Sequence, residues 1–209
     1  MDVVIPVAFP DYKISVSTPS VLSLPNLLPF IDVLPNKVRI PSWKGKVPEL
    51  GHAGVLFIDG KTGTTKYYEY GRYDKELLGL TRRVSIPDAK LGKNGKPTRD
   101  SLRNLLSNIS QKSGQQGRIE GAYIELANGK FASMLQYANM RVQQNGDPKR
   151  PPYTLIGNSC MHFSRSVAEA GGAKMPLIID PRPNSFIAEV QSSYPKVKFL
   201  PPATLTIGD

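Results

Sequence analysis

Gly51-His52-Ala53-Gly54-Val55-Leu56-Phe57-Ile58-Asp59 is the stretch on which the reading of this chain turns. Four large apolar residues in a row, Val55 to Ile58, follow small ones and stop at Asp59-Gly60. A short apolar run closed by turn residues reads as a buried strand. Asp59-Gly60-Lys61-Thr62-Gly63 supplies the turn, because Asp and Gly accept the backbone angles a tight reversal needs. Residues 65–73, Thr-Lys-Tyr-Tyr-Glu-Tyr-Gly-Arg-Tyr, are rich in aromatics and read as a returning strand. The pair predicts a β-hairpin. A register that sets Glu69 opposite Gly54 puts its carboxylate on the face of His52. A slip of one residue presents Tyr68 or Tyr70 instead.

Outward from the hairpin the pattern alternates between helix and strand. Thr98 reads as an N-cap, and Leu102, Leu105, Leu106 and Ile109 follow at helical spacing. Residues 119–126 read as a strand. A helix over about 130–144 carries Phe131, Met134, Leu135, Ala138 and Val142 on one face, and Asn145-Gly146 stops it. Another helix is expected after Asn158, a strong N-cap residue, with Gly171-Gly172 as its end. A short strand at 177–179, a helix after Pro183 and a strand at 196–200 complete the series. The expected class is α+β with an antiparallel sheet.

Prolines at 6, 10, 19, 25, 29, 35 and 41 set residues 1–46 apart. Proline lacks a backbone donor and fixes φ, so long helices and central strands are not expected there. The sequence predicts an extended N-terminal arm over 1–46 and a domain over 47–209.

The 209 residues carry a formal net charge of +10, with 40% hydrophobic residues. That balance suits a packed core with a basic surface, drawn to anionic partners. The Lys and Arg residues are dispersed, so no specific nucleic-acid module is expected. No apolar run approaches the roughly 20 residues of a membrane span. The start Met1-Asp2-Val3-Val4 lacks a basic leader region, so export without a cleaved signal peptide is expected. One cysteine and two histidines exclude an intramolecular disulfide and disfavour a structural zinc site. Neither a metal nor a cofactor is expected.

That single cysteine, Cys160, falls in the first turn of the helix expected after Asn158. The helix dipole and free N–H groups favour the thiolate there. A cysteine nucleophile needs a base. His162, two positions on, is turned about 200° around the helix away from the sulfur. His52 is therefore the expected base, and Glu69 the expected orienter of its other ring nitrogen. An inert packed thiol, a structural histidine and an exposed strand carboxylate are the plain alternatives for these three residues.

Gly51-His52-Ala53-Gly54-Val55, the polar strand after it, and Asn158-Ser159-Cys160-Met161-His162-Phe163 resemble the circularly permuted papain-like hydrolases. There the His-bearing hairpin precedes the Cys-bearing helix. The second block is similar to the Asn-Cys-Glu-His-Phe motif of the lecithin:retinol acyltransferase branch, with Ser159 inserted and Met in place of Glu. Together with Lys66-Tyr67-Tyr68-Glu69-Tyr70-Gly71-Arg72-Tyr73-Asp74, the first block resembles TseH-like bacterial type VI secretion effectors of permuted NlpC-type fold. The resemblance spans about residues 47–193. It implies a Cys160 nucleophile, a His52 base, an acidic third member and delivery by a secretion apparatus through a carrier, with a cognate immunity protein. It leaves the substrate open; the charge of +10, which favours an anionic envelope, points to an antibacterial amidase or endopeptidase acting on peptidoglycan, and the expected place of action is the periplasm of a target cell or a target host cell. Two readings stand beside it: a deamidase or protease acting on a target-cell protein, and a catalytically dead basic binding module.

Overall fold

The computed structural model describes residues 1–16, 45–47, 51–73, 78–154, 156–180 and 182–208. Its first strand, β1 (Asp2–Phe9), is buried along its whole length. On one side it pairs antiparallel with β4 (His52–Ile58), from Val3 opposite Ile58 to Phe9 opposite His52. β5 (Thr65–Gly71) returns from β4 with Gly54 opposite Glu69, the register that keeps His52 and Glu69 on one face. β6 (Leu80–Val84) adds to β5. On the other side of β1 lie β7 (Ile119–Ala122) and β8 (Ile124–Leu126), then β9 (Lys196–Leu200) and β10 (Thr204–Gly208). These make one eight-stranded antiparallel sheet in the order β10-β9-β7-β1-β4-β5-β6, with β8 also on β1. β2 (Ile14–Val16) and β3 (Gly45–Val47) form a separate two-stranded ladder.

Residues 2–9 thus correct the expectation that the first region holds no central strand. Pro6 sits inside β1, and the ladder accommodates it locally. β1 pairs with β7 at Val7 and Ala8 and with β8 at Asp2 to Val4, leaving Ile5 and Pro6 unpaired on that side. The missing N–H therefore falls in the gap between β7 and β8. Tyr123, the residue in the gap, turns its N–H to the Pro195 carbonyl at 2.8 Å. A proline in a central strand is tolerated where no ladder bond is asked of it. The rest of the expected arm, residues 17–44, lies outside the described residues.

Helices cover both faces, which explains why β1 and β4 are apolar without alternation. On one face α1 (Arg99–Lys112) buries Leu102, Leu105, Leu106 and Ile109 against Val3, Ile5, Val7, Leu56 and Tyr67. Thr98 caps it by accepting the Ser101 N–H, as the sequence predicts. On the other face α2 (Lys130–Gln143), α3 (Cys160–Ala170) and α4 (Pro183–Val190) pack with Val4, Ala53, Val55, Phe57, Tyr68 and Tyr70. Gly129, at the start of α2, has no capping side chain. Asp2 does that work from a distance, accepting the Phe131 N–H at 2.7 Å and the Gly60 N–H at 2.9 Å.

Two further expectations are corrected. Residues 177–179 are not a strand: Leu177 and Ile179 are 70% and 82% exposed. They lie in the connection between α3 and α4, where no neighbouring backbone offers a ladder. The N-cap of α3 is Ser159 rather than Asn158. The Asn158 amide instead donates to the Tyr70 hydroxyl at 2.8 Å and the Pro152 carbonyl at 2.9 Å, fixing the loop ahead of the helix. No helix among the described residues is long and apolar enough to cross a membrane.

Candidate active site

Cys160 is the first residue of α3, and His52 the first of β4. The fold brings them together where the sheet ends. Cys160 packs in the core of the α3 face. His52 stacks on Phe9 at a ring separation of 5.9 Å and tilts against Tyr12 at 5.2 Å. The Cys160 thiol lies beside the His52 imidazole and the backbone N–H of Ala53, near enough for both to act on its titration. The Tyr153 hydroxyl donates to Sγ at 3.5 Å and accepts the Cys160 N–H at 3.5 Å. The thiol is nearly buried, with Cys160 3% exposed. α3 therefore begins inside the core.

The Nε2 edge of His52 faces the hairpin. The Tyr73 hydroxyl lies 3.0 Å from Nε2 and donates to Glu69 Oε2 at 3.0 Å. Glu69 Oε2 itself is 3.5 Å from Nε2. The carboxylate is fully buried and held on every side. Tyr67 donates to Oε1 at 2.9 Å, and Arg82 donates to Oε2 from Nε at 2.8 Å and from a terminal nitrogen at 2.8 Å. Arg82 also lies over the Tyr73 ring, 4.2 Å from its centroid. With Nε2 turned to the hairpin, Nδ1 is left to meet the thiol.

This arrangement separates charge. Burial alone would push the Cys160 thiol up, but the imidazole, the Tyr153 hydroxyl and the Ala53 N–H bring it below its ordinary value. Burial would lower His52, yet Cys160 and Glu69 beside it raise it from 6.5 to about 9. Burial would raise Glu69, and His52 and Arg82 bring it down to about 2. The pair is therefore favoured as thiolate and imidazolium between the lowered thiol value and about 9.

His162 stands apart. Its Nδ1 meets the Ser159 hydroxyl at 2.8 Å and its Nε2 accepts the Gly157 N–H at 3.2 Å. Both nitrogens are spent on the turn before α3, and burial lowers its pKa.

The sequence-predicted residues Cys160, His52 and Glu69 thus lie in one contiguous cluster. Sequence reasoning passed over Tyr73, Arg82 and Tyr153. The alternation Tyr67, Glu69, Gly71, Tyr73 carries a signal for the first of these, since every second residue of a strand shares a face. Arg82 follows once β6 is placed, because it pairs opposite Glu69. Tyr153 comes from the loop after Pro151-Pro152, and no local pattern marks it.

Comparison with known proteins gives the family. The family model described as "Type VI secretion system effector TseH-like" matches residues 4–175. The crystal structure of the type VI secretion system effector TseH superposes with a TM-score of 0.76 at 30% sequence identity, covering 100% of this chain and 98% of that one. A comparison with curated proteins finds no match. The family match starts at residue 4, inside β1, and runs through the hairpin and the whole of α3. The chain belongs to the TseH-like family of type VI secretion system effectors.

Proposed function

We propose that this effector is a cysteine amidase or endopeptidase that hydrolyses peptide amide bonds of peptidoglycan, with Cys160 as nucleophile, His52 as base and Glu69 as the acidic third member. The observation that carries the reading is a Cys160 thiol set beside a buried imidazole whose Nε2 edge faces a charge-balanced carboxylate. The order of parts, a His-bearing hairpin before a Cys-bearing helix, supports kinship with the permuted papain-like folds.

His52 Nδ1 holds the thiol proton, and the thiolate attacks the amide carbonyl carbon. The carbonyl electrons move to oxygen. The Cys160 N–H and the Tyr153 hydroxyl, which flank the sulfur, are the donors available to that oxyanion. As the tetrahedral centre collapses, the C–N bond breaks and the leaving amine takes the proton from the imidazolium. Water then attacks the thioester, giving its proton to Nδ1, and the thiolate departs. Glu69 offsets the imidazolium charge during each half.

A net charge of +10 favours the anionic envelope of a bacterial target and action in its periplasm. A cognate immunity protein and a carrier of the secretion apparatus are the expected partners. The test is mass spectrometry of purified peptidoglycan after digestion, with Cys160→Ala as control. New amine and carboxyl termini made by the native protein alone support the reading. Intact peptidoglycan beside a reactive thiolate would move the substrate to an amide of a target-cell protein. Absence of a thiolate would leave a binding module.

A further inference from the structure

Within this proposed site, we infer that the Tyr73 hydroxyl is the immediate positioning group for His52, and that Glu69 acts on the imidazole through it.

The distances rank the contacts. The Tyr73 oxygen is 3.0 Å from His52 Nε2, whereas the nearest Glu69 oxygen is 3.5 Å from the same nitrogen. A separation of 3.5 Å is long for a charge-assisted bond, and 3.0 Å is ordinary. The direction follows from the donors. Tyr73 spends its one proton on Glu69 Oε2 at 3.0 Å. Its oxygen can then only accept from His52, so Nε2 carries hydrogen and Nδ1 is the nitrogen that exchanges a proton with Cys160. The relay runs Cys160, His52 Nδ1, His52 Nε2–H, Tyr73 O–H, Glu69.

Two further contacts hold the tyrosine in place. Its ring stands edge-on to His52, at 6.3 Å and 86°, and lies under the Arg82 guanidinium. The charged and titratable groups facing its hydroxyl are His52, Glu69, Arg82 and Tyr12. Burial and the Glu69 charge push the Tyr73 hydroxyl well above its usual range, so it stays a neutral donor throughout the working pH. A neutral hydroxyl between imidazole and carboxylate fixes ring orientation without moving the proton off the histidine. Arg82 and Tyr67 hold Glu69 from behind, so the carboxylate presents a fixed lone pair to Tyr73.

The test uses the full-length protein and the ultraviolet absorbance of the Cys160 thiolate, titrated from acid upward with Cys160→Ala as blank. This readout needs no reagent to enter the buried site. Tyr73→Phe keeps the ring under Arg82 and removes only the oxygen. It should raise the thiolate midpoint by about half to one pH unit, since a hydrogen bond to the charged form of the pair is lost. Thermal unfolding checks that the fold is kept, and Tyr73→Trp serves in its place should the phenylalanine form unfold. The decisive arm is the double variant. If Glu69 works through Tyr73, Glu69→Gln in the Tyr73→Phe background adds little to the larger single effect, whereas independent contacts add their shifts. Full additivity, or a Tyr73→Phe titration superimposable on the native one, overturns the relay while a shifted His52→Ala titration leaves the dyad standing. A His52→Ala titration identical to the native one would overturn the dyad and the relay together.

Discussion

The chain has two histidines, and their surroundings differ in almost every respect. His162 lies two residues from Cys160 in sequence, on the same helix, with both nitrogens tied to the turn ahead of it. His52 lies on a different element, yet it is the one that meets the sulfur. Burial and its neighbours move the two imidazoles in opposite directions, His162 down and His52 up to about 9. Nearness along the chain does not make a base. What distinguishes His52 is a thiol on one edge and a compensated buried carboxylate on the other.

The sharpest way to break this contrast is to remove each ring in turn. His52→Ala should lower peptidoglycan hydrolysis by about 10²–10⁴-fold, the usual range for a positioned acid–base group. His162→Ala should leave the rate near the native value. Equal losses in both variants, measured as turnover on the same sacculus preparation, would erase the distinction.

The pH dependence gives the next largest effect. Turnover should rise as pH passes the lowered thiol value and fall as pH passes about 9, where His52 loses the proton the leaving amine needs. The thiolate itself survives that alkaline limb, so its absorbance should stay high while turnover falls. A His162→Ala enzyme should show the same two limbs. A pH–rate profile and a thiolate titration on one sample would show whether the limbs part in this way.

Stability offers a smaller test. Glu69 has its pKa lowered in the folded state from 4.5 to about 2. It contributes stability that is present above 4.5 and lost as pH falls towards about 2. His52 is raised, so its contribution is present below 6.5 and lost as pH rises through about 9. Melting temperatures should decline at both ends, and His52→Ala should remove the alkaline decline. Arg82→Ala leaves a buried carboxylate short of its cation and should cost about 1–3 kcal/mol in denaturant unfolding. His162→Ala gives up two local hydrogen bonds at the rim and should cost about 1 kcal/mol or less.

Much of the site was legible because the hairpin is a local structure. Asp59-Gly60 fixes the turn, the turn fixes the register, and the register puts Glu69 beside His52. Thr98, the α1 stripe and the strand at 196–200 were likewise readable from neighbours in sequence. What escaped depends on distant partners. Pro6 argues against a central strand until the gap between β7 and β8 is known. The helix starts one residue later than Asn158 suggests, with Ser159 as its N-cap position, while the Asn158 amide ties the preceding loop to Tyr70 and Pro152. Tyr153 reaches the thiol from a loop, and Leu177 to Ile179 look like a strand only while their lack of a ladder goes unseen. The catalytic readings for Cys160, His52 and Glu69 rest on chemistry that the tests above address.

β1 sets the order of events during synthesis. Its residues are made before any of its ladder partners, which are residues 52–58, 119–122 and 124–126. Until those arrive, Val3 to Phe9 remain an apolar, β-prone segment of the kind that associates with its own copies. Sheet closure waits on contacts far apart in sequence, and such closure is slow. The growing chain therefore carries β1 without its full set of ladder partners until residue 126 is made, and over that interval its free edge is open to association with other copies.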